Sequence, residues 1–142
     1  MAEPQVAYSL RGHEDGVNCV SFLSNSILSS GGSDGIVIIW DLLTRRPVFT
    51  FTPHGPKSIL SLSPLQAMQR LVSCGRDGTV KVWDVNRLSS AGKTASAWDD
   101  GPTCSLDAGF SQFCNASTDI LRQDISTVLL PCDDEAAALV WD

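Results

Sequence analysis

The 142-residue sequence predicts an all-β protein assembled from repeated small antiparallel sheets, and three observations carry that prediction. The first is internal repetition. Ser30-Gly31-Gly32-Ser33-Asp34-Gly35-Ile36-Val37-Ile38-Ile39-Trp40-Asp41 lies without a gap over Ser73-Cys74-Gly75-Arg76-Asp77-Gly78-Thr79-Val80-Lys81-Val82-Trp83-Asp84. Trp, Asp and Gly therefore recur in fixed columns, with a period in the ~40 to 45 range of structural repeats built from one small sheet each. The second is a series of short β-prone segments separated by turn signals, with no long helical periodicity. The third is composition: 43% hydrophobic and 18% charged residues supply a core and leave too little charge for disorder.

Each element follows in order. Val17, Cys19 and Ser21 alternate with Asn18, Val20 and Phe22, so the first strand carries apolar character on both faces and is expected to be covered on both. Ile27 to Ser30 reads as the second strand, Ile36 to Trp40 as the third and Val48 to Phe51 as the fourth. The Asp-Gly pairs at 34–35 and 77–78 mark tight turns, because glycine accepts a positive φ without a Cβ penalty. The second unit repeats the pattern. A third, ending at Trp141-Asp142, is irregular: its interval from Trp83 exceeds one regular unit, Glu135 and Pro131 replace the Asp and Ser, and no Gly-His opens it.

One such sheet cannot bury both faces alone, so sheets stack radially about an axis with the core between neighbours. The expected architecture is a partial β-propeller within a single domain spanning residues 1–142, with blades at about 12–52, 53–98 and 102–142. Propellers typically use ~4 to 8 blades. The chain ends on the last letters of the repeat, so it is expected to be part of a longer propeller whose next blade would cover an exposed apolar sheet face. Gly12-His13 opens the first unit and His54-Gly55, in reversed order, the second, while each closes on Trp-Asp. This pattern resembles the WD40 repeat family. In that family Tyr8 and Leu10 would lie on the strand that closes the last blade.

The resemblance implies a buried hydrogen-bonded tetrad in each blade: His13, Ser30, Asp34 and Trp40 in the first, and His54, Ser73, Asp77 and Trp83 in the second. The chemistry suits these residues, since indole donates, hydroxyl donates and accepts, and imidazole links to carboxylate. A Ser, His and Asp together also suggest a hydrolase, but these groups recur in each unit and lack a nucleophile-elbow context. No catalytic, metal or cofactor site is expected. The five cysteines contain no C-x-x-C pair and read as reduced, small core residues, and the only histidines lie far apart in sequence. Gly92-Lys93-Thr94 lacks the first glycine of a phosphate loop, where Arg87 stands. Asn115-Ala116-Ser117 is read as a chance sequon, and Asp133-Asp134-Glu135 as a solvated turn.

The formal net charge of −6 argues against sequence-independent nucleic-acid binding and against anionic membrane surfaces. No apolar stretch approaches the ~20 residues that span a bilayer. The amino terminus shows no basic and apolar signal, so a cytoplasmic or nuclear location is expected. Function then falls to the loops. Alternate loops of an up-and-down sheet share an end, giving Glu14, Asp15, Lys57 and Arg76 at one end and Arg45 and Arg46 at the other as candidate partner-binding residues.

Ile39 to Val48, with Thr44-Arg45-Arg46 after the first Trp, resembles one WD40 group in particular. His54-Gly55, the Gly75-Arg76-Asp77 turn, Ser105-Leu106 and Gly109-Phe110 complete the match. The group is that of guanine nucleotide-binding protein subunit beta-like protein 1, related to the ASTRA-associated proteins, and the resemblance covers the amino-terminal portion of its length. It implies a non-enzymatic adaptor in the triple-T co-chaperone pathway for phosphatidylinositol 3-kinase-related kinases, or in the ASTRA chromatin complex, with other proteins as partners and no small-molecule substrate. The alternatives are a G-protein β-like signalling subunit, disfavoured because no long coiled-coil segment precedes the first unit, or a substrate-recognition or structural subunit of another complex.

Overall fold

The computed structural model describes residues 3–65, 69–86 and 101–107, together with the backbone of 117–122, 125–131 and 138–141. Strands β1 (Val17–Phe22), β2 (Ile27–Gly32), β3 (Val37–Asp41) and β4 (Arg46–Phe51) form one four-stranded antiparallel sheet in sequence order. A second sheet holds β5 (Ile59–Leu65), β6 (Arg70–Gly75), β7 (Thr79–Asp84) and β8 (Cys104–Asp107), again in order. Because β8 pairs with β7, Val82 opposite Cys104, the second sheet runs past residue 98 into the segment expected to open the third unit. Strands β9 (Ser117–Arg122), β10 (Ile125–Pro131) and β11 (Ala138–Trp141) form a third antiparallel sheet, ordered β11-β10-β9. The first strands of successive sheets are neighbours: β5 lies against β1, and β9 against β5. This is the radial stacking of a propeller.

Turn chemistry sets each hairpin. Gly35 N–H donates to Gly32 C=O at 3.3 Å and Gly78 N–H to Gly75 C=O at 3.2 Å, with φ of 78° at Gly35 and 82° at Gly78. Each is a β-turn followed by a left-handed glycine, the geometry that lets a short loop follow the strand twist. At the opposite end Asp41 closes the β3–β4 turn by accepting from Leu43 N–H and Thr44 O–H, both at 2.9 Å.

The core lies between the first two sheets. Val37, Ile39, Phe49 and Phe51 pack against Ile59, Leu62, Leu71 and Trp83, and the Phe51 and Trp83 rings meet edge-on at 5.1 Å. Burying each such side chain stabilises by about 1.5–3 kcal/mol. Close approach depends on Gly31, where an added Cβ would stand 2.5 Å from Ile59 Cγ2. Across the same boundary Asn18 Nδ2 donates to Ile59 C=O at 2.9 Å.

Two expectations need correction. The first strand is not covered on both sides: Val17, Val20 and Phe22 are 52%, 62% and 55% exposed, because β5 covers one side and no described sheet covers the other. The cysteines are not uniformly core residues either. Cys74 is buried and Cys19 half-buried, with burial pushing its thiol up to about 11, but Cys104 is exposed on β8, the last strand of its sheet. None of these three forms a disulfide. Cys114 and Cys132, Gly92-Lys93-Thr94, Asn115-Ala116, Gly109-Phe110 and Asp133-Asp134-Glu135 lie outside the described residues.

Candidate functional site: two buried networks and a loop-bearing end

Two homologous polar networks sit inside the sheets. In the first, His13 precedes β1, Ser30 lies on β2, Asp34 in the β2–β3 turn and Trp40 on β3. His13 Nε2 is 2.8 Å from Ser30 Oγ, and its Nδ1 is 2.9 Å from Asp34 Oδ2. Trp40 Nε1 donates to Ser30 Oγ at 2.7 Å. In the second, His54 Nε2 lies 2.9 Å from Ser73 Oγ, Nδ1 lies 2.9 Å from Asp77 Oδ1, and Trp83 Nε1 donates to Ser73 Oγ at 2.9 Å. A neutral imidazole protonated on Nδ1 satisfies every group: Trp donates to Ser, Ser to Nε2, and Nδ1–H to the carboxylate.

The residue types explain the electrostatics. Burial alone would raise the Asp34 carboxyl, but the Ile36 amide, the His13 ring and the Glu14 amide outweigh it and hold it below the usual carboxylate range. Asp77 is held down the same way by the Thr79 amide, His54 and the Thr79 hydroxyl. Burial lowers the pKa of His54, and this outweighs the opposing pull of Asp77.

Ser, His and Asp thus stand in a relay order, yet the serine is no nucleophile. Ser30 is 4% exposed and Ser73 fully buried, and each hydroxyl oxygen already accepts from an indole. Attack on a substrate carbon requires an accessible oxygen near an oxyanion site. The networks therefore fix geometry: each ties the loop before a sheet to its second and third strands. Among the described residues, no group of three His, Cys, Asp or Glu side chains converges to hold a metal ion.

Three participants carried no signal that sequence reasoning used. Gly32 and Gly75 occupy equivalent columns, and a Cβ at either would run into the imidazole of its own sheet, 2.6 Å from His13 Nδ1 in the first and into the His54 ring in the second. Their recurrence beside the Asp-Gly turn was the available clue. Thr79 adds a hydroxyl 3.0 Å from His54 Nδ1, where the first unit has Ile36.

The topology sorts the other candidates by end. Glu14, Asp15, Lys57 and Arg76 are exposed at one end; Arg45 and Arg46 are exposed at the other. The first end is stitched together: Ser33 N–H donates to Gly16 C=O at 2.8 Å, Ser58 O–H to Ser33 C=O at 3.2 Å, and Arg76 N–H to Ser58 C=O at 2.9 Å. Four loops from two sheets thereby form one continuous surface. Arg45, with φ 58°, lays its guanidinium 4.5 Å from the Tyr8 ring centroid, so it is engaged with the amino-terminal segment.

The family model "WD domain, G-beta repeat" matches residues 4–41 and 45–84. Guanine nucleotide-binding protein subunit beta-like protein 1 of Mus musculus is 36% identical over 88 residues, which are 58% of this chain and 27% of that protein. ASTRA-associated protein 1 of Lodderomyces elongisporus is 39% identical over 80 residues, 56% of this chain and 19% of that protein. The chain thus spans 19% to 27% of the length of these relatives. Among solved structures, the computationally designed Ika8 protein superposes with a TM-score of 0.64 at 25% identity, over 94% of this chain and 35% of that one. The β-propeller domain of Myceliophteria thermophila Cps50 (Swd1) gives 0.61 at 20% identity, over 96% and 41%. This fold and these relatives are consistent with a protein-interaction scaffold. With both repeat units matched and both sheets closed by the same buried network, the chain belongs to the WD40 repeat family.

Proposed function

We propose that the chain is the partner-binding part of a non-enzymatic WD40 adaptor, and that partners engage the end bearing Glu14, Asp15, Lys57 and Arg76. The observation that carries this reading is the hydrogen-bonded chain Gly16–Ser33–Ser58–Arg76, which preorganises four loops with charges of both signs at one end. Preorganised loops bind with less ordering entropy. Arg76 is the leading contact, because it is exposed in a tight turn and its planar guanidinium engages a carboxylate through two hydrogen bonds.

Similarity to ASTRA-associated protein 1 and to the beta-like protein supports a place in the ASTRA complex or the triple-T co-chaperone pathway, in the cytoplasm or nucleus. The test is affinity purification of the tagged protein from cells, with recovered proteins quantified by mass spectrometry. Arg76→Glu is expected to deplete one set of partners severalfold while the thermal melt stays unchanged. Equal recovery from the variant and the parent would remove Arg76 from the site, and recovery of no ASTRA or co-chaperone subunit from the parent would remove the pathway.

A further inference from the structure

The end opposite the stitched loops contains a cleft of about 220 Å³ between the first two sheets. Leu23 and Ile27, from the β1–β2 hairpin, form one wall; Pro64 and Val85, from the second sheet, form the other. Arg70 and Asn86 stand among them as polar lining residues. Leu23 and the adjoining Phe22 also line a second, shallower hollow, so apolar surface continues along the β1–β2 turn.

Size and charge select the occupant. The volume falls below the ~300–1,000 Å³ of small-molecule pockets, which leaves room for one large side chain. Arg70 forms no ion pair with any described residue, and Asp84, its cross-strand neighbour, accepts from Asn86 N–H at 2.9 Å. Asp41, at the equivalent place in the first sheet, likewise caps its own turn. The carboxylates closing β3 and β7 are thus committed internally, while Arg45, Arg46 and Arg70 lie at the same end.

We propose that this cleft binds an extended segment of another protein, one aliphatic or aromatic side chain entering between Leu23 and Val85 and an adjacent carboxylate pairing with Arg70. The site is separate from the Arg76 end and stands whether or not that end binds partners.

The test is fluorescence polarisation of the full chain with labelled Gly-Leu-Phe-Asp-Glu-Asp, against Gly-Leu-Phe-Lys-Arg-Lys and Gly-Ser-Gly-Asp-Glu-Asp. The first peptide is expected to bind about tenfold tighter than either control, the size of one desolvated charge contact plus a buried anchor. Arg70→Glu and the cleft-filling Asn86→Trp should each abolish that preference, with Arg76→Glu leaving it intact and circular-dichroism melts verifying folding. Equal binding of the three peptides, or binding insensitive to both cleft variants, overturns the proposal. So does sedimentation showing an Arg70-dependent dimer, which would assign the cleft to a second copy. Binding that emerges only after residues 87–100 are replaced by a Gly-Ser linker would assign it to that segment instead.

Discussion

Removing the hydroxyl of Ser73 tests the buried network at its narrowest point. That oxygen serves two partners, accepting from Trp83 Nε1 at 2.9 Å and facing His54 Nε2 at 2.9 Å. In Ser73→Ala the indole N–H loses this acceptor and Nε2 loses its donor. Ser73 is fully buried and the two partners are 4% and 3% exposed, so water does not replace the hydroxyl without opening the sheet. A buried polar group deprived of its partner costs about 1–3 kcal/mol. Two such groups, partly relieved by relaxation, give an expected loss of about 3 kcal/mol.

The control is Ser29→Ala. Ser29 is equally buried, but its Oγ makes a single bond, donating to Ser21 C=O at 3.0 Å, so a loss of about 1 kcal/mol is expected. Urea unfolding followed by tryptophan fluorescence measures both variants in the same chain. Trp83→Phe completes a double-mutant cycle. The phenyl ring retains most of the edge contact with Phe51 and removes the donor, so adding Ser73→Ala to it should cost about 1 kcal/mol less than in the parent. If Ser73→Ala and Ser29→Ala agree within about 0.5 kcal/mol, or the cycle shows no coupling, the network does not bear the stability assigned to it.

Two further outcomes follow from the described side chains. Stability should fall with acidity. Burial depresses the pKa of His54, so below its ordinary 6.5 the unfolded chain takes up a proton that the folded protein refuses; Asp34 and Asp77, held below their ordinary 3.8, then contribute stability that is lost as pH drops through their folded values. The urea midpoint should therefore be lower at about pH 5 than at about pH 7, and a midpoint constant across that interval would refute the assignment of a neutral His54. The second concerns the open side of β1, where Val17, Val20 and Phe22 are exposed. Phe22→Glu should reduce concentration-dependent light scattering without lowering the melting temperature; unchanged scattering would show that this side drives no association.

What the sequence made legible follows from repetition. Trp40 and Trp83, Asp34 and Asp77, and Gly35 and Gly78 fall in register because each unit solves the same local problem, a glycine turn between two strands joined by a buried polar link. Strands within a unit were readable for the same reason. Contacts between units were not, since they depend on which residues the stacking brings together. Gly31 matters because Ile59 approaches it, and Lys81 matters because Pro53 C=O accepts from its Nζ at 2.7 Å. The cleft is likewise invisible in the alternation of β1, because Leu23 and Val85 become neighbours only when two sheets pack. The uncovered side of β1 escaped for a related reason: apolar pattern reports what a strand can bury, and the neighbouring sheet decides whether it does.

The two ends of the sheets therefore rest on different physics. At the end bearing Arg76, backbone groups of four loops are consumed in hydrogen bonds to one another, and the two buried networks anchor the loops before β1 and β5 from beneath. Rigidity there is inherited from the interior, so weakening Ser30 or Ser73 would loosen the surface as well as the sheet. At the opposite end the carboxylates cap their own turns and the guanidiniums lie beside apolar walls. One end offers a preorganised polar surface and the other a small cationic slot. A scaffold built this way can hold two proteins at once, because neither end shares a side chain with the other and the packed core between them, from Val37 to Trp83, keeps their spacing fixed.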